Sequence, residues 1–280
     1  KICNQVWMKQ NLNVSRYRNG DIIPQVTDPT QWANLTTGAW CYYNNDSTNG
    51  AVYGKLYNWY AINDPRGLAP EGWHLSNDKD WKNTVKCVDE NADTTCLSCI
   101  QSSTAGGNFK STNGWNSPNI GANNSINFTG KPGGQRNPDG TFNYIGNFGA
   151  WWTGDEKAIN ESWFYYLSTF DAQFIRTNAI KKSALSVRCV KDIVATLPTL
   201  STSSISSITT SAATCGGNIT YDGGANITAK GVCWSTSSNP TADLTTKTTD
   251  GSGTGSYTSS ITGLLPNTTY YVRAYATNSA

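Results

Sequence analysis

SNDKDWKNTVKCV, residues 76–88, carries its own helix-start signal. Asn77 offers a side-chain oxygen to the free amides of a first helical turn, and Asp80 stands three residues on to close a capping box. Trp81, Val85 and Val88 then recur on one face, so the spacing predicts an amphipathic helix. A second short helix is predicted over YGKLYNWYAI, residues 53–62, where Tyr53, Leu56, Tyr57 and Tyr60 share a face. Beyond Ile100 the period changes. SWFYYLST, AQFIRTN and ALSVRCVKD read as short strands joined by Gly- and Asn-rich loops. The expectation for this part of the chain is an α+β domain with two short helices.

The chain has 280 residues, room for one or two domains. Charged residues make up 14%, against roughly 25% in an average soluble domain. The net charge of +2 is spread without a basic run, which speaks against nucleic acid and anionic membrane as partners. No apolar stretch reaches the length of a membrane span. Composition shifts near residue 193: tryptophan-rich sequence gives way to alternating Ser/Thr-rich sequence. DIVATLPTLST, with Pro198, reads as the link, giving domains 1–193 and 194–280.

In the second domain, alternating runs are punctuated by YDGG, SSNP and TTDGSGTGS. Pro266 and Asn267 turn the chain, after which Tyr270, Val272, Ala274 and Ala276 alternate with Tyr271, Arg273 and Tyr275. The segment Leu264–Tyr270 resembles the L-x-P-x-T-x-Y corner of fibronectin type III domains, whose tyrosine bonds back to the backbone. That resemblance implies an all-β, immunoglobulin-like sandwich with YYVRAYATN as its sixth strand and the seventh lacking. Either the chain continues past Ala280 or a neighbouring molecule supplies the strand. Cys215 and Cys233 fall on successive strands and are expected to pair across the sandwich, contributing about 3 kcal/mol in the chain-entropy model.

Eight cysteines and one histidine are present. Cys96-x-x-Cys99 lacks the second close pair that a thiolate zinc site needs, and the lone His74 nearly excludes mixed ligand sets. An even cysteine count in a charge-poor chain fits disulfides in an oxidising compartment, with no metal or cofactor.

NQVWMKQNLNVSRYRNGD, WCYYNND, YGKLYNWYA, APEGWHLSNDKDW, KPGGQRNPDGTFNYIG, AWWTGDE and SVRCVKD follow one another in that order. As a set they resemble the Fibrobacter succinogenes major paralogous domain of secreted and surface proteins in the Bacteroidetes–Fibrobacteres group. The resemblance covers residues 1–192 and implies a C-type-lectin-like fold, with no firmly established activity. It also implies a Cys41–Cys189 pair, since the family tends to carry cysteine there. Cys3 replaces the glycine of the family's K-I-G-N-Q-x-W, and CVDENADTTCLSC adds three more cysteines. Cys3, Cys87, Cys96 and Cys99 would form two further bridges, with three pairings open.

Chemistry is sparse. His74 would have to serve any Ser/His/Asp or Cys/His system, but its place between Trp73 and a helix start fits a structural role. Asp155 and Glu156 are adjacent and point apart, unlike the facing carboxyls of a glycosidase. Asn137-Pro138-Asp139 resembles half of a lectin's calcium-and-sugar motif, while the Trp-Asn-Asp half is absent; Trp115-Asn116 precedes it in the chain. Trp115, Asn137 and Asp139 are therefore the candidate ligand-binding residues. NNDSTN, residues 44–49, is a candidate Ca²⁺ loop without ordered ligand spacing. Asp46-Ser47-Thr48 and Asp93-Thr94-Thr95 resemble a bacterial O-glycosylation signal, with Ser47 and Thr94 as acceptors. The expectation is a non-enzymatic, secreted or outer-surface bacterial glycoprotein, structural or adhesive, such as the repeating subunit of a filament. It would associate with itself or neighbouring surface proteins. The alternative is a carbohydrate-binding module attaching cells or enzymes to polysaccharide.

Overall fold

A computed structural model describes residues 1–192 and 195–279. The chain divides into two compact units, Lys1–Asp192 and Ile193–Ala280. The boundary read at 193/194 lies on residues outside the described ones. Pro198 stands immediately before a strand, so the link is shorter than DIVATLPTLST.

The first unit is mixed α and β. Its helices are α1 (Pro29–Ala33), α2 (Ser47–Tyr53), α3 (Trp59–Ile62), α4 (Asp78–Val88) and α5 (Gly106–Phe109). Its strands are β1 (Trp40–Cys41), β2 (Leu56–Asn58), β3 (Trp73–Leu75), β4 (Cys99–Ser102), β5 (Gln135–Arg136), β6 (Phe142–Asn143), β7 (Phe148–Ala158), β8 (Glu161–Ser168), β9 (Phe174–Ile180), β10 (Ala184–Leu185) and β11 (Cys189–Lys191). The long strands form an antiparallel sheet in the order β4-β9-β8-β7; β1-β2-β10-β5-β6 form a second sheet, and β3 pairs with β11.

The predicted capping box of α4 is present: the Asn77 side chain accepts from the Asp80 amide, and Asp80 accepts from the Asn77 amide. Trp81 and Val85 are buried. Trp81 meets Trp7, Phe128, Trp151, Tyr165 and Phe174 with ring centroids 4.6–6.1 Å apart. This cluster, on one face of β7–β9, is the main source of burial energy, because each aromatic ring removes some 150–250 Å² from water. YGKLYNWYAI departs from its predicted helix: Leu56–Asn58 is a strand held between β1 and β10. Gly54 at φ 76° ends α2, and Asn58 caps α3. Tertiary pairing overrode the aromatic period.

Loops dominate the remainder, and three buried cations hold them. Lys110 donates to the carbonyls of Ile120, Ser168 and Asp171 at 2.7–2.8 Å. Arg136 reaches those of Val26, Thr27 and Gly140 and stacks on Trp32 and Phe142. Arg188 reaches those of Met8, Lys9 and Phe128 and the side chain of Asn11. Buried carbonyls without ladder partners must find donors elsewhere, and these cations supply several each. Arg188 also ties the first residues to the last strand, where Trp7 pairs with Val190 and Leu12 donates to the Val187 carbonyl.

The second unit holds β12 (Thr199–Thr202), β13 (Ala212–Tyr221), β14 (Ile227–Ser235), β15 (Gly255–Thr262) and β16 (Tyr271–Asn278), in two antiparallel sheets, β12-β13-β15 and β14-β16. Between β14 and β15 the Gly/Pro/Ser-rich segment forms no regular strand, but residues 246–251 run along β14, with a bridge from Cys233 to Lys247 and backbone hydrogen bonds to Lys230, Val232 and Trp234. The core is Cys215, Val232, Trp234, Ile261 and Ala274. The Tyr270 hydroxyl accepts from the Leu265 amide at 3.2 Å, the corner bond expected from sequence. Among the described residues β16 pairs only with β14.

Cysteine pairing corrects the sequence reading in two places. Cys3 is bonded to Cys87 and Cys96 to Cys99, but Cys41, Cys189, Cys215 and Cys233 are buried free thiols. Strand parity explains both departures. Cys215 projects into the sandwich core with Val232 and Trp234, and Cys233 lies between those two, so it faces the other way. Cys41 sits opposite Leu56 and shares its cluster, whereas Cys189 belongs to the cluster of Tyr57, on the other face of β2.

Candidate functional site

His74 sits on β3, paired with Val190. Nδ1 lies 2.7 Å from Asp192 Oδ1, and Nε2 lies 3.0 Å from Asp80 Oδ2. Ionised carboxylates can only accept, so making both contacts as hydrogen bonds requires the imidazolium form, with both ring nitrogens donating. Asp80 is further engaged by Gln5 and by the Asn77 amide. Neither nitrogen is free to act as a base toward a nucleophile. Burial alone would lower the His74 pKa, but the hydrogen bonds to Asp192 and Asp80 outweigh it and hold the value above the ordinary one. A raised folded value means stability that is full below about pH 6.5 and is lost as pH rises through the folded pKa. The side chain is 38% exposed, and screening limits the contribution to below about 1 kcal/mol. His74→Gln should lower thermal stability under mildly acidic conditions and flatten its pH dependence. An unaltered pH profile of the unfolding midpoint would contradict this role.

The other candidates separate. Asp155 accepts from the Asp78 amide at the start of α4, and Glu156 pairs with Lys181, so the two carboxylates face different partners. Trp115 donates its indole N–H to the Gly130 carbonyl and packs against the aromatic cluster. Asn137 and Asp139 form the β5–β6 turn: Gly140 donates to the Asn137 carbonyl, and Asp139 accepts from the amide and hydroxyl of Thr141. Those Thr141 donors hold the Asp139 carboxyl below its ordinary range. No hydrogen bond among the described residues joins Trp115 to this turn. In residues 44–49, Asp46 caps α2, Asn45 donates to Thr27 and Asn49 to Tyr43. No cluster of three or more His, Cys, Asp or Glu fit to hold a metal occurs among the described residues. Ser47 is exposed and Thr94 partly exposed; in each case the preceding Asp binds the following Thr.

Two surface features were not legible in the sequence. A groove of about 820 Å³ runs along residues 7–14 beside Pro70 and Trp73. Two of its amides are already engaged: Asn11 by Arg188 and Trp151, Asn13 by Lys55. The second is a row of aromatic rings on the face of β7–β8 opposite α4. Ala150 is paired with Tyr166 and Trp152 with Phe164, which sets all four side chains on that face together with Phe148. Tyr144 stands 4.8 Å from Phe148, Phe148 5.6 Å from Tyr166, and Tyr166 6.0 Å from Phe164. Trp152 closes the buried end against Phe164. Alternation foretold β8 in SWFYYLST, while β7 was not read as a strand; which rings would align depends on register.

Loop-rich closure by buried cations and a capped helix on an aromatic cluster define a small mixed α and β domain. The model of the Fibrobacter succinogenes major domain matches residues 1–191, and the chain belongs to this family. No curated protein and no solved structure matches the chain. No helix among the described residues is long and apolar enough to cross a membrane.

Proposed function

We propose that this chain is a non-enzymatic structural or adhesive part of a secreted or outer-surface bacterial protein. The observation that carries the reading is the commitment of every sequence-level catalytic candidate to structure: His74 between two carboxylates, Asp155 at a helix start, Glu156 on Lys181. Two disulfides in a charge-poor chain support an oxidising compartment. Pairing of the first segment with the last strand supports a C-type-lectin-like first domain, and the Tyr270 corner with its two small sheets supports a fibronectin type III-like second one. Association with copies of itself or neighbouring surface proteins, as in a filament, is part of this reading, as is O-glycosylation at exposed Ser47 and at Thr94. The aromatic row favours a second reading, attachment to polysaccharide. Beads coated with the intact chain should adhere to polysaccharide or to each other, with no reducing ends or new amino termini released. Turnover that His74→Ala abolishes would overturn the proposal.

A further inference from the structure

The sheet face carrying Tyr144, Phe148, Phe164 and Tyr166 is half open where the opposite face is sealed by α4. We infer that this row is a binding surface for a neutral polysaccharide, an inference that rests on the adhesive reading above and gives it a site and a ligand class. Four observations select that occupant.

The first is charge. The hollow is lined by Gln135, Tyr144, Phe148, Ala150, Phe164 and Tyr166. None carries a charge at neutral pH, so nothing there would recognise a phosphate, a carboxylate or a basic peptide. The second is chemistry. The axial C–H bonds of a pyranose are weakly positive and meet the negative face of an aromatic ring, the quadrupole attraction that also orients aromatic pairs. Gln135 lines the rim; its amide nitrogen donates to Asn137 Oδ1 at 2.8 Å, which leaves its carbonyl oxygen to accept from a hydroxyl.

The third is size. The hollow is about 180 Å³, below the ~300–1,000 Å³ that enclose drug-sized ligands. It suits a single sugar ring, and the row of successive rings around it suits an extended chain of them. The fourth is pre-organisation. Tyr144 holds φ at 72°, a conformation disfavoured for a bulky residue, while the residue stays 49% exposed. Its carbonyl accepts from the amides of Asn147 and Phe148, which locks the turn. A packing role would not require an exposed ring on a disfavoured backbone.

That strain gives a test whose two readouts move in different directions. Tyr144→Gly removes the ring and relieves the backbone, so the unfolding midpoint should stay or rise. Retention of the intact chain on cellulose, xylan, mannan and chitin is measured by depletion from solution. Retention is expected on at least one. Tyr144→Gly should weaken it about tenfold, as loss of one stacked ring does, and Tyr144→Phe should bind like the native chain. Retention that survives both Tyr144→Gly and Phe148→Ala would overturn the site while leaving the adhesive reading intact. Retention on none of the four would overturn the ligand class. If Tyr144→Gly instead changes the sedimentation coefficient, the face joins copies of the chain, and the glycan inference is wrong. Release of sugars would overturn the adhesive reading itself.

Discussion

Replacing Arg188 by Ala should cost the first domain about 3–5 kcal/mol, the scale for removing one partner from a buried charged network. Arg188 is 1% exposed and its guanidinium lies 4.2 Å from the centre of the Phe128 ring. Truncation leaves the carbonyls of Met8, Lys9 and Phe128 without this donor, each at about 1–3 kcal/mol where no water enters. It also frees Asn11, which orients Trp151. Domains of this size are stable by about 5–15 kcal/mol, so much of the margin disappears. Arg188→Lys should recover only part, because an ammonium cannot reproduce the planar fork. Urea denaturation followed by tryptophan fluorescence reads the loss, with Arg16→Ala, which is exposed, as the neutral control. A midpoint within error of the native chain would contradict the role of buried cations in closing this fold.

The Cys3–Cys87 bridge should be worth nearly as much. It spans 84 residues, and the chain-entropy model assigns a loop of that length about 4–5 kcal/mol. The double substitution Cys3→Ser, Cys87→Ser should lower the unfolding midpoint by roughly 10–15 °C at the few degrees per kcal/mol typical of a domain this long. The bridge joins the segment before Trp7 to the last turn of α4, so both sides of the aromatic cluster loosen together. Labelling should find four thiols in the denatured, unreduced chain and eight after reduction. In the folded chain Cys41 and Cys189 should be inert, since burial pushes both thiols up to about 12, more than Arg136 and Arg188 offset. Zero thiols in the unreduced chain would restore the pairing expected from sequence and overturn the parity argument.

The legible part of the fold was local. Asn77 and Asp80 specify a capping box within four residues, and the turn before Tyr270 is a contiguous signature. SWFYYLST and AQFIRTN alternate strongly enough to be strands wherever they pair. What sequence could not show depended on distant partners. Leu56–Asn58 has a helical period but lies between two strands, and neither partner is visible from the segment itself. The pairing of Cys215 with Cys233 failed because two strands that face each other across a sandwich do not thereby present the same residues inward; a shift of one position reverses the face. The candidate site behaved the same way. Trp115 and Asn137–Asp139 were conspicuous by residue type yet are engaged in local hydrogen bonds. Tyr144, Phe148, Phe164 and Tyr166 come from a turn and two strands, and only the β7–β8 register lines them up.

Residue-resolved NMR of the intact chain, titrated with neutral oligosaccharides cut from a retaining polysaccharide, tests the central claim most directly. Aromatic resonances of Tyr144, Phe148, Phe164 and Tyr166 and the Gln135 side-chain amide should shift together and saturate, while those of Trp7 and Trp73 beside the groove, and of Trp115, stay in place. Shifts confined to the groove or to the Asn137–Asp139 turn, or no shifts at all, would contradict it.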